Sequence, residues 1–83
     1  MAKIRTHVYI TGKVQGVYFR QNMRNVARKH NVNGWVKNLK DGRVEAVFEG
    51  EEDNVHQVIE WCHIGPTGAR VDDVDVIYEE YRG

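Results

Sequence analysis

Lys40-Asp41-Gly42 stands between two stretches that alternate apolar and polar residues, and the chain has little choice but to reverse there. Asp-Gly between alternating runs is a strong hairpin signal, because glycine supplies the positive φ that tight hairpin turns need. Trp35 to Leu39 is expected as one strand and Arg43 to Glu49 as its return, with Val44, Ala46 and Phe48 on one face. Each arm of this hairpin joins a segment of a different period. Upstream, Phe19, Met23, Val26, Ala27 and His30 fall at i, i+4, i+7, i+8 and i+11, one helical stripe with Arg20, Arg24, Arg28 and Lys29 off it. Asn31 and Asn33-Gly34 are expected to close that helix. Downstream, Val55, Val58, Ile59 and Cys62 form a second helical stripe. Glu51, Glu52 and Asp53 open it, where the helix dipole favours acids, and Gly65-Pro66 stops it. The outer flanks read as strands. Thr6, Val8 and Ile10 alternate with His7, Tyr9 and Thr11 until Gly12, and Val71 to Tyr78 carries Val74, Val76 and Tyr78 in phase.

The order is therefore βαββαβ. Two interleaved right-handed crossovers then produce an antiparallel sheet with both helices on one face, the ferredoxin-like α+β sandwich. At 83 residues the chain is expected to form one domain, 1–83, burying only about 60% of its unfolded surface. The fold hosts many functions and decides no chemistry.

Net charge is zero, but its distribution is lopsided. Residues 1–40 carry nine Lys/Arg and no acid, whereas residues 41–83 carry three basic residues and all twelve acids. A neutral total argues against a general nucleic-acid binder, while the asymmetry allows a local positive field in the first half. The plainer account is that the two halves neutralise each other within the fold. The opening MAKIRTHVYI lacks the apolar run of a signal peptide, and no stretch approaches a membrane span. The single cysteine, Cys62, leaves no internal disulfide and makes a thiolate zinc site implausible, so a reducing, cytoplasmic setting is expected.

Between the first strand and the first helix lies Gly12-Lys13-Val14-Gln15-Gly16-Val17-Tyr18. A glycine here lets consecutive backbone N–H groups turn inward into an anion-binding nest, and the loop feeds a helix N-terminus that adds orphan donors and a favourable dipole. Arg20 in the first turn is slightly unfavourable to the helix and needs another reason, which a bound phosphate would supply. On these residues alone the plainer account is preferred: Gly16 only permits a tight turn, and Arg20 is one more solvated cation. Neither GxxxxGK[ST] nor GxGxxG spacing is present.

The segments GKVQGVYFR, NGWVKNLKDGRVEAVFEG and GPTGARVDDV, in order from about Val8 to Val76, together resemble the acylphosphatases. These are small ferredoxin-like enzymes that hydrolyse carboxyl phosphates without metal or cofactor. The resemblance implies a phosphate cradle formed by Gln15, Gly16, Val17, Tyr18, Phe19 and Arg20, with Arg20 as the essential phosphate-binding arginine. It also implies that Asn38, at the end of Gly34-Trp35-Val36-Lys37-Asn38, orients the attacking water. The partners so implied are a small acyl phosphate as substrate and inorganic phosphate as product or competitive ligand, with no nucleic acid and no membrane, for a monomeric enzyme. One departure is expected: relatives continue into a terminal strand with an F-x-I-like pattern, and Tyr81-Arg82-Gly83 falls about where it begins.

The residues so implied are chemically bare. No His, Asp, Glu or Cys in a matching motif stands ready as general acid or nucleophile. Expelling an alkoxide would need a proton donor or a metal. A carboxylate leaving group, with a conjugate acid of pKa about 4, needs neither. Such a set suits acyl phosphates and suits phosphomonoesters poorly, by positioning and charge stabilisation. One alternative is a module that merely binds anions through the same nest, which would have no use for Asn38. Another is a domain homologous to the acylphosphatase-like part of larger carbamoyl-phosphate-using maturation proteins, against which the stand-alone length argues. The remaining candidates read as structural. His30 lies on an apolar stripe, His56 and His63 lack a carboxylate at ligand spacing, and Asp72-Asp73-x-Asp75 fits a solvated strand rather than a calcium loop. Trp35 and Tyr9 are expected on the helix-free sheet face, where the acids of the last strand oppose any stacked polyanion.

Overall fold

A computed structural model describes residues 2–83. Its elements run β1 (Lys3–Lys13), α1 (Phe19–Lys29), β2 (Asn33–Asn38), β3 (Val44–Glu51), α2 (Glu52–Ile64) and β4 (Arg70–Glu79). The sheet order is β2-β3-β1-β4, and every neighbouring pair is antiparallel. That is the ferredoxin-like arrangement expected from the element order. Among the described residues no helix is long and apolar enough to cross a membrane.

The alternation in β1 sends Val8 and Ile10 into the core beside Val44, Ala46 and Phe48 of β3, and both helices cover that face. Phe19 and Met23 arrive from α1, and Val55, Val58, Ile59 and Cys62 from α2, all in the same buried cluster. Burial pushes the Cys62 thiol up to about 12, so it behaves as a small apolar core residue. The charged start expected for α2 is present in Glu52 and Asp53, and Gly65 caps its end.

The hairpin forms around Leu39–Arg43, with Leu39 N–H donating to Arg43 O at 2.8 Å and Gly42 N–H donating to Leu39 O at 3.2 Å. Asp41 Oδ1 accepts from the Arg43 N–H and steadies the turn. Leu39 and Arg43 thus belong to the turn rather than to the strands. Asn33 and Gly34 are also not helix-closing residues, because they already pair with Glu49 and Phe48 as the first residues of β2. The helix ends earlier, by a Schellman motif. Asn31 adopts φ +57, Val32 N–H reaches Ala27 O and Asn31 N–H reaches Arg28 O. Nor does β1 stop at Gly12: a bulge between Thr11 and Gly12 carries the strand on to Lys13. Gly12 takes φ +137 there, and a Cβ would come within 2.1 Å of Arg70 O.

The helix-free face is where the opposed charges of the two halves meet. Arg5 pairs with Glu79 at 3.0 Å and Glu49 at 3.4 Å, and His7 lies between Glu45 and Glu79 with one ring nitrogen towards each. Tyr9 stacks on His7, Trp35 meets His7 edge-on, and Lys37 reaches Glu45. Both aromatics expected on this face are on it, inside a charged network. Burial and the Glu45 carboxylate push the Tyr9 phenol above its ordinary value. Beyond β4, Arg82 N–H donates to Glu49 at 2.6 Å, so the last residues are held to this face without being a strand.

Glu45 is held below the ordinary carboxylate range chiefly by its hydrogen bond to His7, Glu49 by the Arg82 N–H, and Glu79 by the Arg5 guanidinium. Carboxylates lowered on folding stabilise the native state above their unfolded pKa, and that contribution is lost as pH falls through the folded values. The melting temperature should therefore hold from neutrality to about pH 4.5, the ordinary value of these groups, and fall below it. Thermal melts between pH 7 and pH 3 should show a shallower acid limb for Glu79→Gln than for the parent. An unchanged limb would mean that the network contributes nothing.

Candidate active site

The loop between β1 and α1 enters its helix without a capping side chain. Gly16 takes φ +75 and Tyr18, the N-cap, φ +62, so two left-handed residues bend the main chain over a short span. Nothing lies within 4 Å of a Cβ placed on Gly16, so glycine is needed there for the backbone angle and not for space. Among the described residues, no carbonyl or side chain accepts from the N–H groups of Gly16 through Gln21. A helix start normally satisfies its first donors with Ser, Thr, Asp or Asn. Here they are left for an external acceptor, with the positive end of the dipole behind them.

All the residues that carry these donors except Val17 border a cavity of about 440 Å³, lined by Val14, Gln15, Gly16, Tyr18, Phe19, Arg20, Gln21, Arg24 and Asn38. Five of the loop residues singled out in the sequence are thus brought together with Asn38, although their contributions differ. Arg20 and Asn38 are exposed and line the cavity from α1 and from the end of β2. Tyr18 is largely exposed. Phe19 is buried, with its ring edge-on to Trp61 at 5.2 Å, so only its main chain is available to a ligand. Val17 does not line the cavity, because its side chain packs against the core.

Gln15 has a different task from the one its neighbours suggest. Its Nε2 donates to Leu39 O at 2.7 Å and to Arg43 O at 2.9 Å, which ties the loop to the turn that follows Asn38. The side-chain amide is therefore occupied with positioning. No carboxylate, imidazole, amine or thiol lines the cavity, and among the described residues no group of His, Cys, Asp and Glu is arranged to hold a metal ion. His56 instead bonds the Tyr78 hydroxyl and His63 Nδ1 the Ile59 carbonyl, while Asp72 pairs with Arg70. Sequence reading passed over Gln21 and Arg24 as lining residues. The signal for Arg24 was its place one helical turn after Arg20, on the polar side of the stripe.

A family model of the acylphosphatases matches residues 6–83. The chain belongs to the acylphosphatase family. An acylphosphatase of Pyrobaculum calidifontis is 58% identical over 81 residues, covering 96% of this chain and 74% of that protein. The solved acylphosphatase of Coxiella burnetii superposes with a TM-score of 0.93 at 40% identity, covering 98% of this chain and 85% of the other. Full-length HypF, in a phosphate- and nucleotide-bound form, also contains the fold. It aligns with a TM-score of 0.89 at 30% identity over 98% of this chain and 11% of its own length. Acylphosphatases are hydrolases of acid anhydrides, and in this chain the loop before α1 and the end of β2 both border the cavity.

That placement makes the Gln15 tether testable. Gln15→Leu removes two partly buried hydrogen bonds, each worth about 1 kcal/mol, which for a domain of this size lowers the melting temperature by roughly 8–16 °C. It should also weaken inorganic phosphate binding measured by calorimetry, because the loop loses its anchor. Unaltered phosphate affinity would mean that the loop keeps its shape without the tether.

Proposed function

We propose that this enzyme hydrolyses the carboxyl–phosphate bond of small acyl phosphates without a metal ion, releasing a carboxylate and inorganic phosphate. The observation that carries the proposal is the meeting of the unsatisfied amides of Gly16 and of Tyr18 to Gln21, the Arg20 guanidinium and Asn38 around one cavity with no carboxylate, imidazole, amine or thiol in its wall. Membership of the acylphosphatase family supports the same reading.

In this mechanism the amides and the Arg20 fork hold the phosphoryl oxygens, with charge-assisted bonds that strengthen as charge builds on them. The Asn38 carboxamide orients a water in line with the bond to be broken. The water oxygen bonds to phosphorus while the phosphorus–oxygen bond to the acyl group breaks, and its electron pair leaves on the carboxylate. With a conjugate acid of pKa about 4, that leaving group needs no proton. The water's proton passes to a phosphoryl oxygen of the substrate, since the wall offers no base. A metal ion would find no carboxylate, imidazole or thiolate there, and the leaving group does not call for one.

Benzoyl phosphate should be hydrolysed at an undiminished rate in excess EDTA, and p-nitrophenyl phosphate should be turned over far more slowly. Loss of benzoyl phosphate hydrolysis on chelation, reversed by added metal, would sink the mechanism. The two side chains should separate in the kinetics. Arg20→Lys is expected to be nearly as damaging as Arg20→Ala, because an ammonium cannot reproduce the paired donors. Asn38→Ala should lower kcat by about 10²-fold or more while phosphate affinity stays close to the parent. Collapse of phosphate binding in Asn38→Ala would remove the water-positioning role.

A further inference from the structure

A second groove, of about 350 Å³, runs beside the cavity between α1 and the edge strand β2. Met23, Ala27, Val36 and Phe48 supply its apolar wall, and Arg24 and Arg28 also line it. Arg24 lines the groove and the cavity alike, so the two adjoin at that residue.

Three like charges follow one another along this route. Arg20, Arg24 and Arg28 succeed each other at i, i+4 and i+8 on α1, and all are exposed. Like charges at that spacing destabilise a helix by about 0.2–0.5 kcal/mol per pair, and no acid lies in its first turn to offset them. Among the described residues the ion pairs involve Arg5, His7, Lys37, Arg43 and Arg70, which leaves these arginines without one. With a rise of about 1.5 Å per residue, Arg24 and Arg28 stand about 6 and about 12 Å along the axis from Arg20. An unneutralised track of guanidinium groups therefore leads out of the cavity along an apolar wall. The wall suits a carbon skeleton, and the forks suit a carboxylate at its far end.

We propose that this groove is the acyl-group subsite and that it favours acyl phosphates whose acyl moiety ends in a second anion, held by Arg24 and Arg28. The inference rests on the phosphate cradle proposed above. It is tested by binding, which needs no turnover, using benzylphosphonate and 4-carboxybenzylphosphonate with calorimetry at low ionic strength, where screening is weak. The carboxylated compound should bind the parent enzyme about tenfold more tightly. The preference should shrink in Arg24→Gln and in Arg28→Gln and fall to within about twofold in the double variant. Lys29→Gln removes the same charge from a residue that lines a different groove, with Glu60 and Trp61 of α2, and should keep the preference. Equal affinity of the two phosphonates for the parent overturns the subsite and leaves the phosphate cradle standing. An equal loss of preference in Lys29→Gln overturns it too, because the effect is then the overall field. A chain that discriminates the phosphonates yet leaves benzoyl phosphate intact keeps the subsite and overturns the catalytic reading. Failure to bind either phosphonate overturns the subsite and the cradle together.

Discussion

Two hydrogen bonds from the Gln15 carboxamide fasten the loop before α1 to the turn that follows Asn38. The segments they join have little regular structure of their own. The loop has left β1 and not yet begun α1, and the turn lies between β2 and β3. Without that tether, the amides of the loop and the side chain of Asn38 would be placed by two independently moving segments. A displacement of about 1 Å between reacting groups is enough to cost two orders of magnitude in rate. The rigid sheet beneath explains why a single side chain suffices. β3 is hydrogen-bonded to both β1 and β2, so the strands feeding the loop and the turn are already in register.

The charge asymmetry of the sequence separates in space into two populations with different fates. Arg5 of β1 and Lys37 of β2 face acids from β3 and β4 across the helix-free surface and pair with them there, whereas Lys3 and Lys13 of β1 form no ion pair among the described residues. The cations of α1 have no such partners among the described residues. The idea that the two halves of the chain simply neutralise each other thus holds for the Arg5 and Lys37 network of the sheet and not for the helix. What decides between them is reach. Antiparallel pairing sets β1 directly beside β3 and β4, whereas the polar face of α1 looks away from every acid-bearing strand face.

Much of this was legible from periodicity. The alternation around Val8, the stripes through Met23 and Val58 and the Asp41-Gly42 reversal each depend on neighbours a few residues away, and such patterns survive in one dimension. The misreadings fall where a local signal had a second use. Asn33-Gly34 resembles a helix stop, but Asn31 already takes the left-handed position, which frees Asn33 and Gly34 to begin β2. Gly12 resembles a strand end, but a bulge lets the strand continue. At the site, Arg20 and Asn38 were legible only through family resemblance, because nothing in local pattern says that residues so far apart converge. Val17 and Gln15 show the limit of reading a contiguous motif as one surface. Neighbouring side chains point to the core, the cavity and the hairpin in turn.

The uncapped start of α1 also explains why such a site can exist on so small a domain. An unsatisfied helix start forgoes about 1 kcal/mol of capping energy, and the arginines add a few tenths of a kcal/mol for each like-charged pair. A ligand present at a hundred times its dissociation constant stabilises the native state by about 2.7 kcal/mol, which exceeds the capping loss. The energetic defect is therefore confined to the molecule without its ligand, and it resides in surface groups that water can still solvate. The core under α1 needs no compensation, since Phe19 and Met23 are fully packed into it. The proposed anion site at the start of α1 and the core packing of its apolar stripe thus use different parts of the same helix, and donors left open at that start do not weaken the packing that holds it.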